Sequence, residues 1–128
     1  MEEKKVLVVD DEKDNRMFVQ TILRSVGFKT LEAANGIQAL QRSFQDSPDA
    51  IVLDIQLPDI NGFEVFTRLR AAEKTKSIPV IMLTGIREKI GRGYSKHDVQ
   101  TFFDHAPHAY LEKPVSPDAL IEAVQGCF

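Results

Sequence analysis

Apolar positions along the chain follow two alternating periods. Residues 6–9 (VLVV), 50–54 (AIVLD) and 78–84 (IPVIMLT) are near-continuous runs of β-branched and aliphatic residues. Runs of this kind predict strands covered on both faces. After the first run, Asp14 or Asn15 is placed to cap a helix whose Val19, Ile22, Leu23 and Val26 recur at helical spacing, with Gly27 as the stop. A weaker strand follows at 29–33. Asn35-Gly36 then turns into a second helix with Ile37, Leu40 and Phe44 on one face, ended by Pro48. The loop IQLPDING leads into a third helix, in which Phe63, Phe66 and Leu69/Arg70 repeat. Gly85 closes the run 78–84. A short strand is predicted at 108–111, and Ser116-Pro117 supplies an N-cap and a first-turn proline for a last helix carrying Leu120, Ile121 and Val124.

Val99, Phe102 and Phe103, after a capping-box-like Ser95-x-x-Asp98, predict a short helix from about 96 to 105. Five strands thus alternate with five helices. That pattern predicts an α/β fold built from βαβ units, with a parallel sheet and right-handed crossovers. In such open sheets, function gathers at the carboxyl ends of the strands.

Composition narrows the class without naming a chemistry. A chain of 128 residues, 43% hydrophobic and 27% charged, reads as one ordinary globular domain spanning 1–128. A net charge of −3 with no basic stripe argues against direct nucleic-acid binding. Cys127 stands alone, so no internal disulfide forms and a reducing compartment fits. No signal peptide is recognised and no apolar stretch approaches a membrane span, which predicts a soluble cytoplasmic domain.

Charge changes the picture at the strand ends. Asp10 and Asp11 end the first strand, Asp54 the third and Thr84 the fourth, while Lys113 lies just past the fifth. Adjacent carboxylates at the end of a buried run repel by roughly 4 kcal/mol at 4 Å and an effective dielectric near 20. A hard divalent cation relieves that repulsion. Mg2+ suits three carboxylates, because it takes oxygen ligands octahedrally and keeps room for water and phosphate. Lysine and threonine are then natural donors to a phosphoryl group.

These residues carry a resemblance. The segments VVDDE (8–12), VLDIQLPDINGFE (52–64), MLTG (82–85) and YLEKP (110–114) together resemble the receiver domain of two-component response regulators, across essentially the whole chain. The resemblance implies a single doubly wound (βα)5 domain of flavodoxin-like strand order 2-1-3-4-5. It further implies Asp54 as phosphoacceptor, taking its phosphoryl group from a histidine kinase or phosphotransfer protein. Asp10, Asp11, Asp54 and the backbone carbonyl of Gln56 would hold Mg2+. Lys113 and Thr84 would meet the phosphoryl oxygens, and Thr84 and Tyr110 would act as the switch. Such a domain is no enzyme beyond its own phosphorylation and dephosphorylation. Its output surface would lie around the fourth helix and fifth strand, a face that also offers a homodimer contact. The Lys113-Pro114 bond would be cis.

Each residue also has a plainer reading. A lone Asp pair ends many strands as a cap or solvated turn, and only its company with Asp54, Thr84 and Lys113 makes it chemical. Glu12 reads as peripheral, Asp59 and Asn61 as turn residues, and Gly62 as a point of close packing. Tyr110 alone could be a half-buried core residue, and Cys127 reads as incidental. His97, His105 and His108 lack ligand spacing, and the GRG at 91–93 lacks the Lys-Ser/Thr of a phosphate loop.

The chain departs from the family between Thr84 and Lys113, where it is several residues longer than receivers usually are. The surplus predicts an extended region between the fourth strand and fourth helix: a Gly-rich loop at 86–95 with Arg87, Lys89 and Arg92. That loop is either a tolerated surface insertion or a modified output face. Ile86 and Gln56 stand where they would tune access of water to an acyl phosphate.

A dehalogenase-type phosphohydrolase would need Asp-x-Asp at the first strand end, and a flavodoxin-like FMN carrier a Ser/Thr/Gly-rich loop there. A receiver-fold interaction module that is not phosphorylated would not need the complete residue set. The sequence leaves open whether the chain stands alone or is the N-terminal piece of a longer regulator.

Overall fold

Apolar runs bounded by turn residues become strands because both faces of each can be covered. The structure, a computed structural model, describes residues 3–85 and 107–128. Strands β1 (Lys5–Val9), β2 (Lys29–Ala33), β3 (Ala50–Asp54), β4 (Val80–Thr84) and β5 (Ala109–Glu112) pair in parallel in the order β2-β1-β3-β4-β5. Four helices are described: α1 (Lys13–Ser25), α2 (Gly36–Asp46), α3 (Gly62–Ala71) and α4 (Pro117–Gln125). The α/β fold with strand order 2-1-3-4-5 is therefore as the sequence predicts. The helix expected near 96–105, the loop 86–95, and with them Ile86, Arg87, Lys89, Arg92, His97 and His105, lie outside the described residues.

The pleat divides the core in two. Leu7, Val9, Ile51, Leu53, Val80 and Met82 face α2 and α3, where Ala39, Val65, Phe66 and Leu69 meet them. Val6, Val8, Val52, Ile81 and Leu83 face the other way, onto Val19 and Leu23 of α1 and Leu120 and Val124 of α4. With the central strands buried on both faces, the sheet is a rigid platform. Each large side chain buried there contributes about 1.5–3 kcal/mol.

The helices differ from the sequence reading in three places. Helix α1 starts at Lys13 with Glu12 as N-cap, whose side chain makes no capping bond; Asp14 is a first-turn acid and Asn15 lies inside the helix. Val26 is not on its buried stripe, because it is the C-cap and stands 39% exposed, while the polar Gln20 is buried. On α2 the fully buried residues are Gly36, Ala39 and Ser43; of the predicted face, Leu40 packs against the core part-buried, while Ile37 is 44% exposed. Small residues let α2 lie close to the β3–α3 loop, where Gly36 abuts Ile60 and Val65. Strand β4 begins two residues later than predicted, after Pro79, whose carbonyl still accepts from Ile51 N–H at 3.0 Å.

Other local signals hold. Asn35, Asn61 and Ser116 cap α2, α3 and α4, each accepting from the backbone N–H three residues on. Gly27 takes a left-handed φ of 95° just past α1. The Lys113-Pro114 peptide is cis.

Candidate functional site

Because all five strands run the same way, their carboxyl ends share one edge of the sheet. Asp10 stands one residue past β1, Asp54 and Thr84 are the last residues of β3 and β4, and Lys113 follows β5. Asp10 and Asp54 are 1% and 2% exposed, an unusual burial for carboxylates.

What makes that burial tolerable is Lys113. Its Nζ donates to Asp10 Oδ2 and to Asp54 Oδ2, both at 2.9 Å, bridging two residues that the repulsion argument would keep apart. The remaining carboxylate oxygens are also engaged. Asp10 Oδ1 accepts from Glu12 N–H at 2.9 Å, and Asp54 Oδ1 from Gln56 N–H at 3.2 Å. Burial pushes the Asp54 carboxyl above its ordinary value; Lys113 opposes that push and Asp10 adds to it. Burial pulls the Lys113 ammonium down, yet its hydrogen bonds and attraction to Asp10 and Asp54 prevail and leave it above the ordinary lysine value.

Thr84 lies beside this pair. Its side chain is buried, and among the described residues its Oγ1 has no hydrogen-bond partner. A buried hydroxyl left without a partner costs about 1–3 kcal/mol, so a ligand oxygen has something to gain there. The backbone links Thr84 to the ammonium residue: Lys113 N–H donates to the Thr84 carbonyl at 2.8 Å.

Asp11 and Gln56 are exposed at the rim. Oxygens of Asp10, Asp11 and Glu12 all lie within 4.8 Å of one another, so Glu12, read as peripheral, joins the acidic group. These hard oxygen donors fit a Mg2+ ion better than a soft metal. Asp54 meets this group through Lys113. Tyr110 sits opposite Met82 in the β4–β5 ladder, half-buried against the core on the α2–α3 side. Burial raises its phenol to about 12.

Two supporting residues were not singled out for these roles from sequence. Asp59 accepts from Gly36 N–H at 2.8 Å and Ile37 N–H at 2.9 Å, tying the loop after Asp54 to the first turn of α2. These bonds outweigh partial desolvation and hold its carboxyl below the ordinary value. Arg16 donates to the Asp10 carbonyl at 2.9 Å. Neither link is visible as a motif, since the Asp59 contacts span more than twenty positions. Gly62, read as a packing glycine, lies against the main chain of the acidic strand end: a Cβ there would stand 2.6 Å from Asp54 O and 2.8 Å from Ile55 Cα.

Comparison with known proteins agrees with this geometry. The sequence profile of the response regulator receiver domain matches residues 6–125. The polar-differentiation response regulator DivK of Brucella anthropi is 30% identical over 122 residues, covering 95% of this chain and 94% of that protein. Among solved structures, the receiver domain of Francisella response regulator 1452 superposes with a TM-score of 0.82 at 30% identity, covering 98% of this chain and 96% of that one. The chemotaxis response regulator CheY4 of Vibrio cholerae does so with a TM-score of 0.82 at 27% identity, covering 99% and 100%.

Proposed function

The chain belongs to the family of response regulator receiver domains, and from that premise we propose that it accepts a phosphoryl group on Asp54 from a histidine kinase or phosphotransfer protein. The observation that carries this reading is the single ammonium of Lys113 bridging the buried carboxylates of Asp10 and Asp54. An ammonium held between two acids at the carboxyl edge of the sheet is a partly neutralised resting form of an anion-handling site.

In the reaction, an Asp54 carboxylate oxygen attacks the phosphorus of a phosphohistidine. The P–N bond breaks, and the departing imidazole keeps the bonding electron pair and takes up a proton. The product is an acyl phosphate. Burial that raises Asp54 also makes the carboxylate a better nucleophile once Lys113 keeps it ionised. Lys113 then exchanges its bond to Asp54 for one to a phosphoryl oxygen, and Thr84 Oγ1, without a hydrogen-bond partner among the described residues, gains one. Asp10, Asp11, Asp54 and the Gln56 carbonyl would hold Mg2+, which when bound supplies charge neutralisation at the phosphoryl oxygens. Phosphorylation shifts a pre-existing equilibrium of the face around β5 and the helix expected from sequence at about 96–105, with Thr84 and Tyr110 as its moving parts. A near-complete switch requires a differential stabilisation of about 5 kcal/mol.

The test is incubation with Mg2+ and a small phosphodonor, wild type beside Asp54→Asn. Alkali-labile covalent phosphate on the wild type alone is the expected result. Equal labelling of the two proteins would remove Asp54 from the role, and no labelling of either would favour a module that works through its surface without phosphorylation.

A further inference from the structure

Every polar group of Asp10 is spoken for, and one of them by a residue outside the acidic set. Its N–H donates to the Ala33 carbonyl at 3.2 Å, Oδ1 accepts from Glu12 N–H, and Oδ2 from Lys113. Its carbonyl is the unusual case. The β1 ladder ends at Val9 and α1 begins at Lys13, so neither strand nor helix supplies that oxygen with a donor. Arg16 Nη1 does, at 2.9 Å, from the first turns of α1. The same guanidinium is held from behind by Glu32 of β2, Nε to Oε1 at 2.8 Å, and only 14% of the Arg16 side chain is exposed.

We propose that Arg16 is a positioning residue for the metal-binding acids: its planar fork clamps the Asp10–Asp11 peptide between α1 and Glu32 and thereby presents both carboxylates in one orientation. This rests on the Mg2+ reading of the site given above. The fork suits the task because it reaches two acceptors in fixed geometry, which a lysine ammonium on a flexible stem does not. Support behind a ligand of this kind typically governs about 10- to 100-fold in metal affinity.

The sign of the effect separates positioning from charge. As a cation near the site, Arg16 opposes Mg2+ binding, so removing its charge alone would tighten the metal. Clamping predicts the reverse. Binding of Mg2+ itself, followed by amide resonances of residues 10–12, is the readout, with thermal midpoint as the check on folding. Arg16→Met is expected to weaken Mg2+ about tenfold or more while the wild type binds. Arg16→Lys keeps the charge and the aliphatic stem, folds if Arg16→Met does not, and is expected to weaken binding similarly. A folded variant of either kind that binds Mg2+ within about twofold of wild type, or more tightly, overturns the clamp. A wild type that binds no Mg2+ overturns the metal reading and the clamp together.

Discussion

The Lys113 ammonium lies 2.9 Å from Asp54 Oδ2, a contact that joins positions 59 apart in sequence and seats the cation against the last residue of the most buried strand. It also holds Asp10 at the same distance. One side chain thus donates to two buried acids and opposes the upward push of burial on Asp54.

Replacing it exposes that dependence. Lys113→Ala leaves two buried carboxylates uncompensated, a change that costs about 3–5 kcal/mol at neutral pH. The direction with pH follows from Asp54, whose carboxyl already stands above its unfolded value. A raised acid favours the fold below its unfolded value, and that stability is lost as pH rises through the folded value. Without Lys113 the folded value climbs further. Denaturant midpoints of wild type and variant are therefore expected to converge as the solution is acidified toward the carboxylate range and to diverge toward neutrality. A deficit that does not vary with pH would contradict the pairing.

Thr84 invites the opposite expectation. Its buried hydroxyl has no partner among the described residues. Thr84→Val replaces it with a methyl of similar size, and thermal unfolding is expected to show a gain of up to about 1 kcal/mol. In the same protein, phosphorylation by a small donor should slow or give a less stable acyl phosphate. Loss of stability on this substitution would mean that the hydroxyl is satisfied after all.

Gly62 has no room for even one methyl. A Cβ would approach Asp54 O and Ile55 Cα within 2.6 and 2.8 Å, and both are backbone atoms that cannot swing aside. Gly62→Ala is expected to destabilise by about 1–3 kcal/mol, as overpacking does, and to slow the proposed phosphorylation by displacing the end of β3 that carries Asp54. Wild-type unfolding and labelling rates together would show that the strand yields without cost.

The phenol of Tyr110 gives a spectroscopic check on the β5 edge. Burial lifts it from 10.0 to about 12. The fold therefore loses stability as alkaline pH passes from the ordinary phenol value through the raised one. With Tyr94 replaced by phenylalanine, Tyr110 is the one phenol left in the chain. Its absorbance titration is expected near 12, and a midpoint at the ordinary value would place the ring in solvent.

What could be read from sequence followed physical periodicity. Strands β1, β3 and β4 are buried on both faces, so their apolar runs are unbroken and their ends are marked by the first charged or hydroxyl residue. Asp10, Asp54 and Thr84 were visible for that reason, and Lys113 through its place just past the short fifth strand in the segment YLEKP. The face of α2 was legible only in Leu40, because Ala39 and Ser43 carry little hydrophobic signal, and their burial comes from how closely the helix approaches the β3–α3 loop. The start of α1 was misread because its N-cap, Glu12, works without a side-chain bond. Asp59 and Arg16 act on backbone groups of other segments, and such contacts leave no spacing to find.

The main chain around Asp54 has no slack. Ile55 N–H is fixed to the Leu83 carbonyl at 3.1 Å, Ile55 O is fixed by Gly62 N–H at 2.7 Å, and even a Cβ on Gly62 would stand 2.6 Å from Asp54 O. A phosphoryl group on Asp54, as proposed, would therefore meet a stiff support on the β3–α3 side. Across from it, under the proposed phosphorylation of Asp54, the groups that would change partners are the Thr84 hydroxyl, which has no hydrogen-bond partner among the described residues, and the Lys113 ammonium, and the two residues are joined through the backbone between β4 and β5. In the proposed reaction, an added phosphoryl group would press toward these two groups rather than toward the main chain of β3.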